Sequence, residues 1–276
     1  MTFILAGTQV FAQNIVLKDG RVVAGQNLRR SGASVLSQTQ VGAAVGDVGY
    51  AVASIAKIEF AEPPEIAAAT ELLLAGKASE ALGKIDPVVK AQGPFKDIEG
   101  NWWAQAAQVK LSALAVIPSS EADSEVLISD MLSTNTDPEV VLYARVRRAA
   151  NLAGKGSSKQ AIEVCEAVIK ESKRKATIAE AWYTKGISLL QQNDFDSALL
   201  ALLHIPVYYP DQKLLMPGVL FKCAKAYSGN EDYANAISTL EDLIKSYPGS
   251  PEAAAGKVEL KKVENKSSSK EPTSNQ

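Results

Sequence analysis

Few residue types in this chain could do chemistry. There are two cysteines, Cys165 and Cys223, and one histidine, His204. A zinc site needs three or four His, Cys or carboxylate ligands, and neither CxxC nor HxxxH spacing occurs. His204 has no Ser or Cys nucleophile pattern near it, so a nucleophile–base pair is not assembled. Cys165 falls at a small-or-apolar packing position on a second helix of a helical pair, and Cys223 on a first helix two pairs later. Both read as buried free thiols, because a disulfide would have to join non-adjacent pairs. Gly42, Gly46 and Gly49 match neither G-x-G-x-x-G nor a Walker loop, and no Lys-Ser/Thr follows. Gly154-Lys155-Gly156-Ser157-Ser158-Lys159 resembles a phosphate cradle at first glance, but it occupies a helical-hairpin turn, where glycine and serine serve geometry. No catalytic residue, cofactor or metal is assigned, and the chain is read as non-enzymatic.

Charge and aromatic content say more. The chain of 276 residues carries 29 basic and 31 acidic side chains, a formal charge of −2, so no overall field draws it to nucleic acid. Its 46% hydrophobic and 22% charged content is ordinary for a globular protein. Between Ser119 and Leu142 stand six acids and no base; from Arg145 to Lys175 stand nine bases and three acids. Two accounts fit: solvated helix faces that attract across a repeat junction, or a polarised surface for an acidic segment or anionic polymer. Trp102 and Trp103 open a helix and point about 100° apart, so one packs in the helical core and the other meets the β module or a ligand.

The elements that would position these residues fall into four segments. Residues 1–12 form a short apolar stretch ending Val10-Phe11-Ala12, which reads as a signal segment cleaved before Gln13 with its true start upstream, or as an ordinary terminus or edge strand. Residues 13–61 read as a small β module: strands at Asn14–Leu17, Val22–Leu28, Ala33–Thr39 and Ile55–Phe60, an Asp19-Gly20 turn, and a glycine-rich connection over 42–50. At Lys18–Arg21 and Ile55–Phe60 it resembles SH3-like or Sm-like barrels; the alternative is a β cap on the helices. Residues 62–263 read as helical repeats and 264–276 as a disordered polar tail. No apolar run approaches the ~18 residues that span a bilayer.

The repeat is clearest at Trp182, Gly186, Leu189, Phe195, Ala198, Leu202 and Pro210, which match the tetratricopeptide order of aromatic, small, large, aromatic, small, large and terminal proline. Small residues at Gly186 and Ala198 let two helices cross closely, and Pro210 stops the second helix. Ala224, Tyr227, Tyr233, Ala236, Leu240, Leu243 and Pro248 repeat the pattern, with 38 residues separating Ala198 from Ala236 and Pro210 from Pro248. Ala149, Leu152, Ala161, Cys165 and Val168 occupy the same slots one unit earlier. Two weaker pairs precede them, giving about five hairpins and a capping helix over 250–263. The expected fold is therefore a mainly α, tetratricopeptide-like solenoid with a small N-terminal all-β module.

The last two units, with Tyr209-Pro210-Asp211 and Tyr247-Pro248-Gly249-Ser250-Pro251-Glu252, resemble bacterial envelope tetratricopeptide proteins, among them BamD-like outer-membrane-assembly lipoproteins and the Tol–Pal-associated coordinator. That resemblance implies an exported, periplasmic location, peripheral envelope association and a protein or peptide partner rather than a substrate. The chain departs from the BamD-like pattern in having no cysteine after its apolar start and in adding the β module. The expected function is a scaffold that binds a peptide on the concave face of its first helices, with Arg145, Arg148 and Lys185 pointing into the groove. The rival expectation is nucleic-acid binding through the Sm-like module and the basic repeat 145–175, with cytoplasmic residence.

Overall fold

The computed structural model describes residues 13–41, 44–133 and 137–270. The signal segment expected over 1–12 lies outside them, as does the end of the expected tail, 271–276. The chain forms two compact units: Met1–Ala69 with Leu82–Leu111, and Thr70–Ala81 with Ser112–Gln276.

The first unit contains six strands, β1 (Gln13–Leu17), β2 (Val22–Gly25), β3 (Arg29–Ser31), β4 (Ser34–Val41), β5 (Ala44–Ala51) and β6 (Ile55–Phe60). They pair antiparallel as two three-stranded sheets, β2-β1-β6 and β3-β4-β5. The Asp19-Gly20 turn joins β1 to β2, with Gly20 at φ 88° and its amide donating to the Leu17 carbonyl. Nothing in this pairing adds to the resemblance to SH3-like or Sm-like barrels. The glycine-rich stretch expected as a connection is a strand: β5 pairs with β4 from Ser34↔Ala51 to Val41↔Ala44. Val45 and Val48, three apart, break the two-residue alternation that marks a strand, and Gly49 leaves room for Leu36 across the pair.

This unit also draws in residues beyond the β segment. Its core joins Ile15, Leu17, Val35, Ile55 and Ile58 to Phe95 and Ile98. The Phe60 and Phe95 rings stand 5.2 Å apart, the Ile58 amide donates to the Glu99 carbonyl at 2.8 Å, and Arg30 grips Asp97 with two hydrogen bonds. The tryptophan pair divides its work: Trp103, which opens the following helix, is buried, while Trp102, just before that helix, donates from Nε1 to the Phe60 carbonyl at 3.1 Å.

Eleven helices follow among the described residues: α1 (Pro64–Leu74), α2 (Ala78–Gln92), α3 (Trp103–Leu114), α4 (Glu121–Leu132), α5 (Pro138–Gly154), α6 (Ser158–Glu171), α7 (Lys175–Gln191), α8 (Phe195–Tyr208), α9 (Met216–Gly229), α10 (Tyr233–Ser246) and α11 (Pro251–Lys270). In the second unit α5–α6, α7–α8 and α9–α10 pack as hairpins, followed by α11. Four of the helix-to-helix turns are built alike. Gly76, Gly156, Asn193 and Glu231 each take positive φ, and the next amide reaches back five residues: Lys77 to Leu72, Ser157 to Leu152, Asp194 to Leu189 and Asp232 to Tyr227. This left-handed helix ending satisfies carbonyls the helix leaves open. In the two later turns the residue after it, Asp194 or Asp232, then caps the next helix through its carboxylate.

The crossings sit where small residues recur. A Cβ on Gly186 would stand 2.6 Å from Leu202 Cγ and 3.5 Å from the Ala198 carbonyl, so the α7–α8 approach requires glycine. Ala198, Ala224 and Ala236 are buried, and Trp182 and Tyr227 fill the flanks half-buried. Pro210 and Pro248 each follow a tyrosine whose amide makes the last hydrogen bond of the second helix. Cys165 and Cys223 are buried free thiols in separate clusters, their pKa pushed up to about 12, chiefly by burial. One boundary moves: α11 continues to Lys270, so the segment expected to lose order at Glu264 is helical that far. Buried Val263 seats it beside Ala224 and Leu240, and Ser268 and Ser269 hydroxyls bond the carbonyls of Glu264 and Asn265.

Candidate binding cavity

The first helices of the later hairpins do more than pack. In the second unit α5, α7, α9 and α11 face a common cavity of about 510 Å3, which Leu73 of α1, Gly76 of the α1–α2 turn and Leu214 and Leu215 of the α8–α9 connection help to line. Met216-Pro217-Gly218, which follow that connection, begin α9.

The lining is mostly apolar, with a few fixed polar groups. On its floor Arg147 of α5 pairs with Glu180 of α7, their side chains 14% and 7% exposed. Burial opposes charge on Arg147, but Glu180 and the neighbouring tyrosines outweigh it and hold the guanidinium above its ordinary pKa. Tyr183 also stands well above the ordinary tyrosine value, through burial first and then the carboxylates of Glu252 and Glu180. Its hydroxyl lies against Gly218, where a Cβ would come within 2.2 Å. Burial and the like charge of Lys225 push Lys222 down. Phe221, Lys222 and Glu252 thus place a ring, a base and an acid around one space. A turn contact bounds it as well: the Gly249 carbonyl occupies the position a Cβ on Gly76 would take, 2.2 Å away.

The residues expected to point into the groove do not line this cavity. Arg145 pairs with Glu171, Arg148 with Glu125 and Ser129, and Lys185 with Glu166 while lying over the Trp182 ring. The acidic and basic runs therefore meet each other: Arg174 binds Asp137, and Glu139 accepts from the Ser172 hydroxyl and the Lys173 amide. Inner-face residues that the sequence left unmarked are Arg147, Glu180, Tyr183, Phe221 and Glu252. A signal was present: Glu180 lies between Ala179 and Ala181, all three buried, and Arg147 lies on the same helix face as Tyr143 four residues before it. The stretch 154–159 runs from the last residue of α5 through the turn Lys155-Gly156-Ser157 into the first residues of α6, with Gly156 at positive φ. His204 stacks on Trp182, centroids 4.1 Å apart, and its Nδ1 meets the Leu200 carbonyl. Among the described residues no group of three or more His, Cys, Asp or Glu could hold a metal, and no helix is long and apolar enough to cross a membrane.

Residues 175–258, from α7 into α11, match the family YfiO, described as outer membrane lipoprotein. No curated protein matches the chain.

Proposed function

We propose that this chain is a non-enzymatic scaffold of the bacterial cell envelope, exported to the periplasm, that holds a partner protein by a short segment seated in the cavity of its second unit. The cavity carries the proposal. Inner helices of several hairpins converge on one mostly apolar space whose polar groups are already oriented, which lowers the ordering cost of a bound segment. The match to an outer membrane lipoprotein family over 175–258 supports the envelope location. Tyr183, Phe221, Lys222 and Glu252 are the contacts assigned to the segment, in place of Arg145, Arg148 and Lys185, whose charges are met by neighbouring carboxylates.

A photo-crosslinking residue at Phe221 in the native host should capture an envelope protein. Ala255→Trp, which fills the cavity from α11, should abolish that capture at an unchanged melting temperature. Capture that persists with the cavity filled would exclude this site, and a chain fractionating with the cytoplasm would exclude export.

A further inference from the structure

The second helices α6, α8 and α10 occupy equivalent places in consecutive hairpins, 37 and 38 residues apart. Their inward positions agree: Ala161, Ala198 and Ala236, then Cys165, Leu202 and Leu240, then Val168, Ile205 and Leu243, all buried. Their outward positions do not. Where α6 carries Glu163, Glu166, Lys170 and Glu171, and α10 carries Ser238, Glu241, Lys245 and Ser246, α8 carries Leu200, Leu203, Val207 and Tyr208. These four are 68%, 38%, 65% and 62% exposed. The spacing of three and four residues puts Leu200, Leu203 and Val207 on one helix face, Tyr208 borders it, and the face continues into half-buried rings. His204 lies between Trp182 and Tyr208, and Tyr208 meets Tyr209. Single exposed hydrophobics need no explanation, but a contiguous ridge, replaced by charge in one flanking repeat and by charge and serine in the other, marks a contact surface.

Charge around the ridge identifies what would cover it. α8 contains no Lys or Arg. At its first turn stand Asp194 and Asp196, and Asn230 donates to Asp196 at 2.6 Å, bringing the adjoining Glu231 and Asp232 to the same end. The ridge therefore ends in carboxylates. The α8 helix of a second copy, laid on this one, would offer no Lys or Arg to meet them, and an anionic membrane surface would be repelled. We propose that the outer face of α8 docks an amphipathic helix of a partner protein. That helix lays an apolar stripe along Leu200, Leu203, Val207 and Tyr208 and sets Lys or Arg over Asp194 and Asp196. This surface is separate from the inner cavity and does not depend on it.

The test uses the full chain and two synthetic amphipathic helices with leucine at heptad spacing, one ending in lysine and arginine, the other in glutamate. The basic probe should bind roughly tenfold or more tightly than the acidic one. A variant carrying Leu200→Ser, Leu203→Glu, Val207→Lys and Tyr208→Ser, the residues α10 uses at these positions, should lose that binding while its melting temperature and helical circular dichroism hold. Asp196→Lys should remove the preference between probes. Equal binding of both probes, failure of both, or undiminished binding to the four-residue variant would overturn the proposal. So would a dimer in sedimentation, or binding to phosphatidylglycerol vesicles, that the variant abolishes, since another occupant would then own the face.

Discussion

The two units bury their apolar side chains by different routes. In the second unit the helix crossings are made within one hairpin or between neighbours, as Gly186 against Leu202 and Ala224 beside Ala236 show, and the Gly76 turn against Gly249 is a long-range contact added to them. In the first unit Ile15, Val35 and Ile58 share a core with Phe95 and Ile98, so closure waits on residues far apart in the chain. A repeat unit distributes stability over nearest-neighbour contacts; the first unit has no second copy of any contact. The exception in the repeats is polar: Arg147 and Glu180 are buried together where neighbouring helices bury hydrocarbon.

That exception gives the largest expected effect. Glu180→Ala takes the carboxylate away from a buried guanidinium and should cost about 3–5 kcal/mol in urea unfolding. Adding Arg147→Met should restore most of it, because the loss comes from a buried charge no longer balanced by a carboxylate rather than from an absent contact. A single variant that costs less than about 1 kcal/mol would show the pair to be as solvated as a surface pair.

Next come two glycines that test the routes directly. Gly100, in the first unit, takes φ 86°, and a Cβ there would stand 2.3 Å from the Ile58 carbonyl oxygen. Gly186, in the second, would place its Cβ against the Leu202 side chain. Gly186→Ala should cost about 1–3 kcal/mol through overpacking, and Leu202→Val in the same chain should relieve part of it. Gly100→Ala should cost at least as much, through backbone strain, with no side-chain substitution to relieve it. A double-mutant cycle separates the cases: strong coupling for Gly186 with Leu202, none for Gly100 with Leu202. A smaller loss, about 1 kcal/mol, is expected for Trp102→Phe, which removes the hydrogen bond to the Phe60 carbonyl.

The same contrast explains what could be read in advance. The hairpins were legible because tetratricopeptide packing repeats a small residue at a fixed interval, and Gly186, Ala198 and Ala236 display it. The first unit was legible only in part. Its Asp19-Gly20 turn and Ile55–Phe60 strand carry local signatures, but nothing local announces that Phe95 belongs to the β core. The strand over Ala44–Ala51 was hidden by its glycines. The cavity was obscured for another reason: a slot on a first helix says which helix carries a side chain, not which face of that helix the side chain occupies. Arg147 lies two residues from Arg145 and one from Arg148, so a rotation of 100° or 200° separates floor from exterior.

Arg145 and Arg148 themselves supply the smallest effect. Both pairs are partly exposed, with side chains 38% and 41% exposed on the arginines and 60% and 47% on Glu171 and Glu125. Solvent screens such pairs, and holding two long side chains together costs entropy, so Arg145→Ala and Arg148→Ala should each change stability by less than about 1 kcal/mol. Raising the salt concentration should shrink the difference further. Arg147→Ala, between them in sequence, removes one partner of a buried pair and should cost about 3–5 kcal/mol. Three substitutions within four residues of one helix, measured by denaturant unfolding, would thus map the α5 surface. If Arg148→Ala cost as much as Arg147→Ala, the acidic and basic runs would be structural supports rather than solvated faces, and the inner cavity would lose its distinction as the place where this unit spends charge on shape.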